Sequence, residues 1–204
     1  GLQLHIHTNG DEATEVVLDV IEKMLQAHPR ADHRHTLQHC QLADKAQLER
    51  AAGLGMCINF FSNHLYYWGD AHATQTVGPE WAARMNPAET ARQLGITFSL
   101  HSDAPITPLN PLFTAWCAAH RASASGKILG EAERLSVADA LNAVTLGAAK
   151  TLKLEHLIGS IEPGKFADFA VLEDDPSAVA AERLKDIPVW GTVLAGREFP
   201  APQQ

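Results

Sequence analysis

Three short segments of this chain end in side chains that can ligate a metal ion or carry a proton. Leu4-His5-Ile6-His7 and Thr36-Leu37-Gln38-His39 each finish in histidine, and Ser99-Leu100-His101-Ser102-Asp103-Ala104-Pro105 carries an aspartate just before a proline-rich loop. On strand alternation, Thr97, Ser99, His101 and Asp103 share one face, while Ile96, Phe98 and Leu100 share the other. A polar inward face ending in a carboxylate suits a site better than a packed core. In a β/α barrel the carboxyl ends of the strands are where catalytic groups sit, because the βα loops build the active face there. Two histidines and an aspartate at three strand ends make a metal half-site. Imidazole and carboxylate suit Zn²⁺, which lowers the pKa of water to roughly 7. A carboxylate beside that water can take its proton and return it to a leaving amine.

The elements that must position these groups follow from periodicity and turn signals. Leu2 to His7 reads as a strand, followed by a helix with Val17, Val20, Ile21, Met24 and Leu25 on one face. A strand from His35 to Cys40 leads to a helix over Asp44 to Ala52, stopped by Gly53 and Gly55. Met56 to Phe61 is a third strand. A long loop holding His64, Tyr66, Tyr67, Trp68, Asp70 and His72 follows, either contacting substrate or covering a rim. A helix near Pro87 to Leu94, the strand into Asp103 and a helix over Pro111 to Ala124 complete four β/α units, which predict a parallel sheet. Ser136 caps a further helix running to Ala148-Ala149. Beyond it lie a turn-rich segment at Gly159 to Lys165, a strand to Leu172 and a last strand, Val189 to Leu194.

Composition narrows the classes of partner. The 204 residues are 46% hydrophobic, enough for one sizeable core. A formal charge of −8 with no basic block argues against nucleic acid or an anionic membrane. Cys40, Cys57 and Cys117 are odd in number and widely spaced, so they read as buried reduced thiols, which points to the cytoplasm. No apolar run approaches the ~20 residues that span a bilayer. The chain begins at Gly1 and is already in a strand at Leu2, which predicts the back portion of a longer protein and leaves open a leader upstream.

The ordered set His7-Thr8-Asn9-Gly10-Asp11-Glu12-Ala13, Arg34 to His39, His101 to Pro105, Leu135 to Leu141 and Gly159 to Leu172 resembles the carboxyl-terminal portion of the amidohydrolase superfamily. The likeness is closest to the branch related to N-substituted formamide deformylases. The resemblance implies an α/β fold: the second half of a TIM-type (β/α)8 barrel over residues 1–150, with residues 151–204 forming part of a small β-sandwich domain. His7 would end barrel strand five, His39 strand six and Asp103 strand eight. It further implies one or two divalent metal ions, zinc first, held by His7, His39 and Asp103. Asp103 would shuttle the proton, and His39 would bind a second metal or polarise the substrate. His64, Tyr67, Trp68 and His101 are the candidate substrate contacts, with orienting Asp103 an equal role for His101.

The family pattern also contains pieces this sequence lacks. Such enzymes place a His-x-His pair at strand one and many use a carboxylated lysine near strand four. His5-Ile6-His7 has that pattern, yet too few β/α units follow it for strand one, and His33-Arg34-His35 fails similarly. The expected partners are therefore the missing amino-terminal half of the barrel and a small-molecule amide. Hydrolysis of a non-peptide carbon–nitrogen bond is the expected reaction. A deaminase of the same superfamily and a non-catalytic assembly module remain as alternatives. Half a barrel leaves strand edges exposed, which predicts either self-association or a larger parent molecule.

Overall fold

The computed structural model describes residues 2–202. Four short strands, β1 (His5–Thr8), β2 (Thr36–His39), β3 (Cys57–Phe60) and β4 (Phe98–Leu100), form one parallel sheet in sequential order. Helices α1 (Asp11–Ala27), α2 (Lys45–Gly53) and α5 (Ala88–Gln93) occupy the crossovers. Parallel strands need such crossovers, and the helices bury the sheet's outer face. Leu37, Ile58, Phe60 and Leu100 line that face against Leu18, Ile21, Leu48 and Ala91 in a single apolar cluster.

Local signals account for most boundaries. Asp44 accepts from the Gln47 amide at 2.8 Å while the Gln47 side chain accepts from the Asp44 amide at 3.2 Å, a reciprocal cap that starts α2. Asn110 caps α6 (Pro111–His120), and Ser136 caps α7 (Val137–Val144). Gly10 holds the cap position of α1, and Asp11 follows as its first residue, where a carboxylate favours the positive end of the helix dipole.

Five expectations are corrected. The long loop at residues 64–84 is helical: α3 (His64–Ala71), a π-turn over His72–Thr76 and α4 (Gly78–Arg84). The helix from Ser136 breaks at Thr145 into α7 and α8 (Leu146–Thr151), where Gly147 sits so close to β4 that a Cβ would lie 2.5 Å from the Phe98 carbonyl oxygen. The helix begun at Pro111 stops at His120, because Arg121 turns left-handed at φ 57°. Val20 is 59% exposed; Thr14, Leu18 and Ile21 form the buried face of α1 instead. Val189–Leu194 is not the last strand, since a turn at Ala195-Gly196 returns the chain as β7.

β5 (Phe169–Leu172), β6 (Val189–Leu194) and β7 (Arg197–Pro200) form one antiparallel sheet in that order. Asp168 closes its hairpin by accepting from the Ala195 amide at 2.7 Å. The intervening 181–186 turn packs back on α6, placing Leu184 and Ile187 in the main core and letting the Trp116 indole donate to the Glu182 carbonyl at 3.1 Å.

Candidate metal centre

The carboxyl ends of the parallel strands gather the chemistry. His7 lies on the inner face of β1, which is open in this chain. By alternation His39 would follow Leu37 into the buried helix-facing layer. Instead its backbone turns left-handed at φ 67°, and its ring lies 4.5 Å from His7 and 4.9 Å from His101, centroid to centroid. A left-handed non-glycine residue is uncommon, and such strain concentrates at functional sites.

β4 ends at Leu100, so Asp103 is not on the strand; it occupies a turn with φ 53°. The shared strand face expected for Thr97 to Asp103 therefore stops short of the aspartate. His101 extends the ladder through its amide, which donates to the Phe60 carbonyl at 3.0 Å. Its Nδ1 lies 4.0 Å from an Asp103 oxygen.

His64, the first residue of α3, is buried 5.9 Å from His39 and 4.2 Å from Phe61, with Trp68 at 5.7 Å. Tyr67 is not brought to this cluster: its ring neighbours are Tyr66, Trp68 and Phe113. Beside Asp103, a mainly apolar groove of about 330 Å³ runs between Leu100, His101, Leu109, Thr114 and Val144.

Burial favours the neutral form of His39, His64 and His101. Desolvation lowers His39, a shift partly countered by Asp103. It pushes His64 down to about 3 and His101 down to about 4, with the neighbouring His39 adding to both shifts. A neutral ring is the form that ligates a metal. His39 Nδ1, His64 Nδ1 and His101 Nε2 are buried without a partner, a state that native structures seldom tolerate without a reason. The donor types fit a divalent ion. The set is incomplete, however, because among the described residues no group of three His, Cys, Asp or Glu side chains is placed to hold one.

Several supporting residues escaped the sequence reading. Across the inner face, Ser99 donates to Asn59 at 2.8 Å, Asn59 to Gln38 at 2.8 Å and Gln38 to His5 Nδ1 at 2.7 Å. Aligning the polar positions of neighbouring strands would have found this row. Nothing in the sequence announces Arg121. It is fully buried and donates to the carbonyls of Leu129, Asn86, Ala83 and Met85, so the Asn86 segment is locked in place. Asn86 in turn donates to the Phe61 carbonyl at 3.1 Å and to the Gln41 carbonyl at 2.9 Å, holding the chain on both sides of the histidine cluster. Gly130 permits the approach: a Cβ there would collide with the Ala83 carbonyl oxygen at 1.7 Å.

The chain is a parallel α/β fold that gathers histidines and an aspartate at the carboxyl ends of its strands. The amidohydrolase family model matches residues 1–199, and the chain belongs to that family. It is 32% identical to the putative amidohydrolase YtcJ of Bacillus subtilis (strain 168) over 201 residues, covering 97% of this chain and 37% of that protein. It is 29% identical to the N-substituted formamide deformylase of Arthrobacter pascens, covering 96% of this chain and 36% of that one. The fold is similar to that of an uncharacterized metal-dependent hydrolase from Pyrococcus horikoshii OT3, at a TM-score of 0.71 and 24% identity, over 89% of this chain and 36% of that one. The chain thus spans just over a third of the length of these relatives.

Proposed function

We propose that this chain supplies the strand-five-to-eight half of a (β/α)8 barrel in a metal-dependent hydrolase of non-peptide carbon–nitrogen bonds. In this assignment residues 1–150 are the barrel portion and residues 151–204 part of a small β domain. The observation that carries it is the row of neighbouring side chains at the carboxyl ends of β1, β2 and β4: His7 against His39, His39 against His101, and His101 against Asp103. His7, His39 and Asp103 would hold one or two divalent ions together with donors from the preceding half of the barrel. When bound, such an ion, zinc by preference, makes water acidic enough to ionise near neutral pH.

Asp103 takes the proton of the attacking water and returns it to the leaving amine. His101 orients the Asp103 carboxylate, and His39 polarises the substrate carbonyl as a hydrogen-bond donor where it is not a ligand. His64 and Trp68 form a wall against which a small amide substrate rests. The match to the formamide deformylase supports amide or formamide-like substrates. The three buried thiols support a reducing, cytoplasmic setting.

Zinc content and hydrolysis of a panel of formamides and N-acyl amines test this, on the chain alone and on a polypeptide extended upstream. The extended protein is expected to hold zinc and turn over an amide, and the chain alone to do neither well, because a zinc site ordinarily needs three or more protein ligands. Release of ammonia from an amidine-type ring would move the assignment to deamination. An extended protein that binds no zinc and hydrolyses nothing would leave an assembly module.

A further inference from the structure

We propose that Asn63 and Thr107 position Asp103, by tying the turn that carries the carboxylate to the start of α3. This rests on the assignment of Asp103 as the proton carrier. Past Leu100 the sheet offers the Asp103 turn little: one amide of His101 on the Phe60 carbonyl, then a left-handed residue and a turn closed by the Ile106 amide on the Asp103 carbonyl at 2.7 Å. The Asp103 side chain is 40% exposed and its nearest ring nitrogen is 4.0 Å away. His101 at that distance can bias the carboxylate but does not hold the backbone turn that carries it.

The tie comes from the preceding loop. The Asn63 amide nitrogen donates to the Thr107 hydroxyl at 2.8 Å, and that hydroxyl donates to the carbonyl of Ser102, the residue before Asp103. A hydroxyl can accept and donate at once, and here it does both. Asn63 and Thr107 are 0% and 1% exposed, so water does not compete for either bond. The anchor is itself fixed: the Asn63 carbonyl accepts from the Tyr67 amide at 3.1 Å within α3, and Ser62 donates to the Thr114 carbonyl of α6 at 2.8 Å. Asn63 pays a cost for this position, since its Oδ1 is buried with no partner. An apolar side chain would fill the same space without that penalty, so packing alone does not account for asparagine.

Thr107→Val keeps the shape and removes both bonds; Thr107→Ser keeps the hydroxyl; Asn63→Leu removes the donor from the other end. In the chain itself, hydrogen exchange at the Ile106 amide is expected to quicken by about 10-fold in Thr107→Val and Asn63→Leu, with α6 unchanged. In the upstream-extended enzyme, the same variants are expected to lower kcat by about 10- to 100-fold with KM within about twofold. Thr107→Ser should return both readouts to near the parent values. Unchanged exchange in both variants overturns the proposal. So does faster exchange with kcat intact, which would make the pair a packing device, or failure of Thr107→Ser to rescue. If the extended parent hydrolyses nothing, the assignment of Asp103 fails, while exchange at Ile106 still decides whether this pair orders the turn.

Discussion

The two ends of the parallel sheet use the same residue types in opposite ways. At the amino ends, His33 and His35 spend their ring nitrogens on the backbone: His33 Nδ1 accepts from the His35 amide at 2.9 Å, its Nε2 donates to the Leu54 carbonyl at 2.7 Å, and His35 Nδ1 accepts from the Leu4 amide at 3.0 Å. Arg34 bridges Asp32 and Glu155, each at 2.6 Å, around a recess of about 360 Å³. At the carboxyl ends, His39, His64 and His101 each keep a buried nitrogen with no partner. Ring nitrogens bonded to backbone hold a fold together, whereas ring nitrogens left open are free for the ligand role proposed above. Histidine count alone does not separate these, because His33-Arg34-His35 and His5-Ile6-His7 look alike in sequence.

The largest effect should come from the carboxyl ends. Asp103→Asn in the upstream-extended enzyme is expected to cost about 10³-fold in kcat or more, since an amide cannot accept the proton. Its thermal midpoint should stay within about 2 °C of the parent. Retention of rate would erase the contrast between the two ends. Next is Arg121→Met, which strips donors from four carbonyls; urea unfolding should show a loss of roughly 3 kcal/mol. A loss below about 1 kcal/mol would mean that water replaces the guanidinium.

Acid should expose the cost of keeping rings neutral. His64 and His101 titrate lower in the folded chain than the 6.5 of a free ring, so the unfolded chain binds more protons between those values. Stability should fall on the order of 1 kcal/mol per ring as pH drops from 7 to 5, seen as a declining thermal midpoint. His64→Phe should flatten part of that slope. A midpoint that rises with acid would reverse the sign. The smallest effect belongs to the amino ends: Arg34→Met should cost at most about 1 kcal/mol, because the pair is part-exposed and screened, and should leave kcat unchanged.

Much of this architecture was legible because strands and crossover helices announce themselves through alternation, glycine stops and side-chain caps. The parallel sheet and its four strands follow from such local signals. The helices over residues 64–84 did not, since Gly69, Gly78 and Pro79 interrupt an aromatic run and mimic a loop. In the structure Gly69 serves close packing, with Leu129 where a Cβ would point. Place at the ends of predicted strands, together with the family resemblance, singled out His7, His39 and Asp103. Backbone handedness at His39 and Asp103 was invisible, because it arises from loops closing over the strands and not from the residues themselves. Arg121 shows the same limit: a charged residue reads as surface until four distant carbonyls are seen to need it.

The three cysteines carry a practical consequence. Cys40 lies just behind His39, Cys57 opens β3 at the amino ends, and Cys117 sits in α6; all are free and buried. Burial pushes the Cys40 thiol up to about 12 and Cys57 up to about 11, and raises Cys117 as well. Only a thiolate attacks an alkylating reagent, so the closed chain presents almost nothing to label at neutral pH. Each thiol becomes reactive when its own neighbourhood opens. The native sequence therefore contains three independent clocks, one behind each end of the sheet and one in the helical layer, and alkylation rates at the three read out which part of the molecule breathes first.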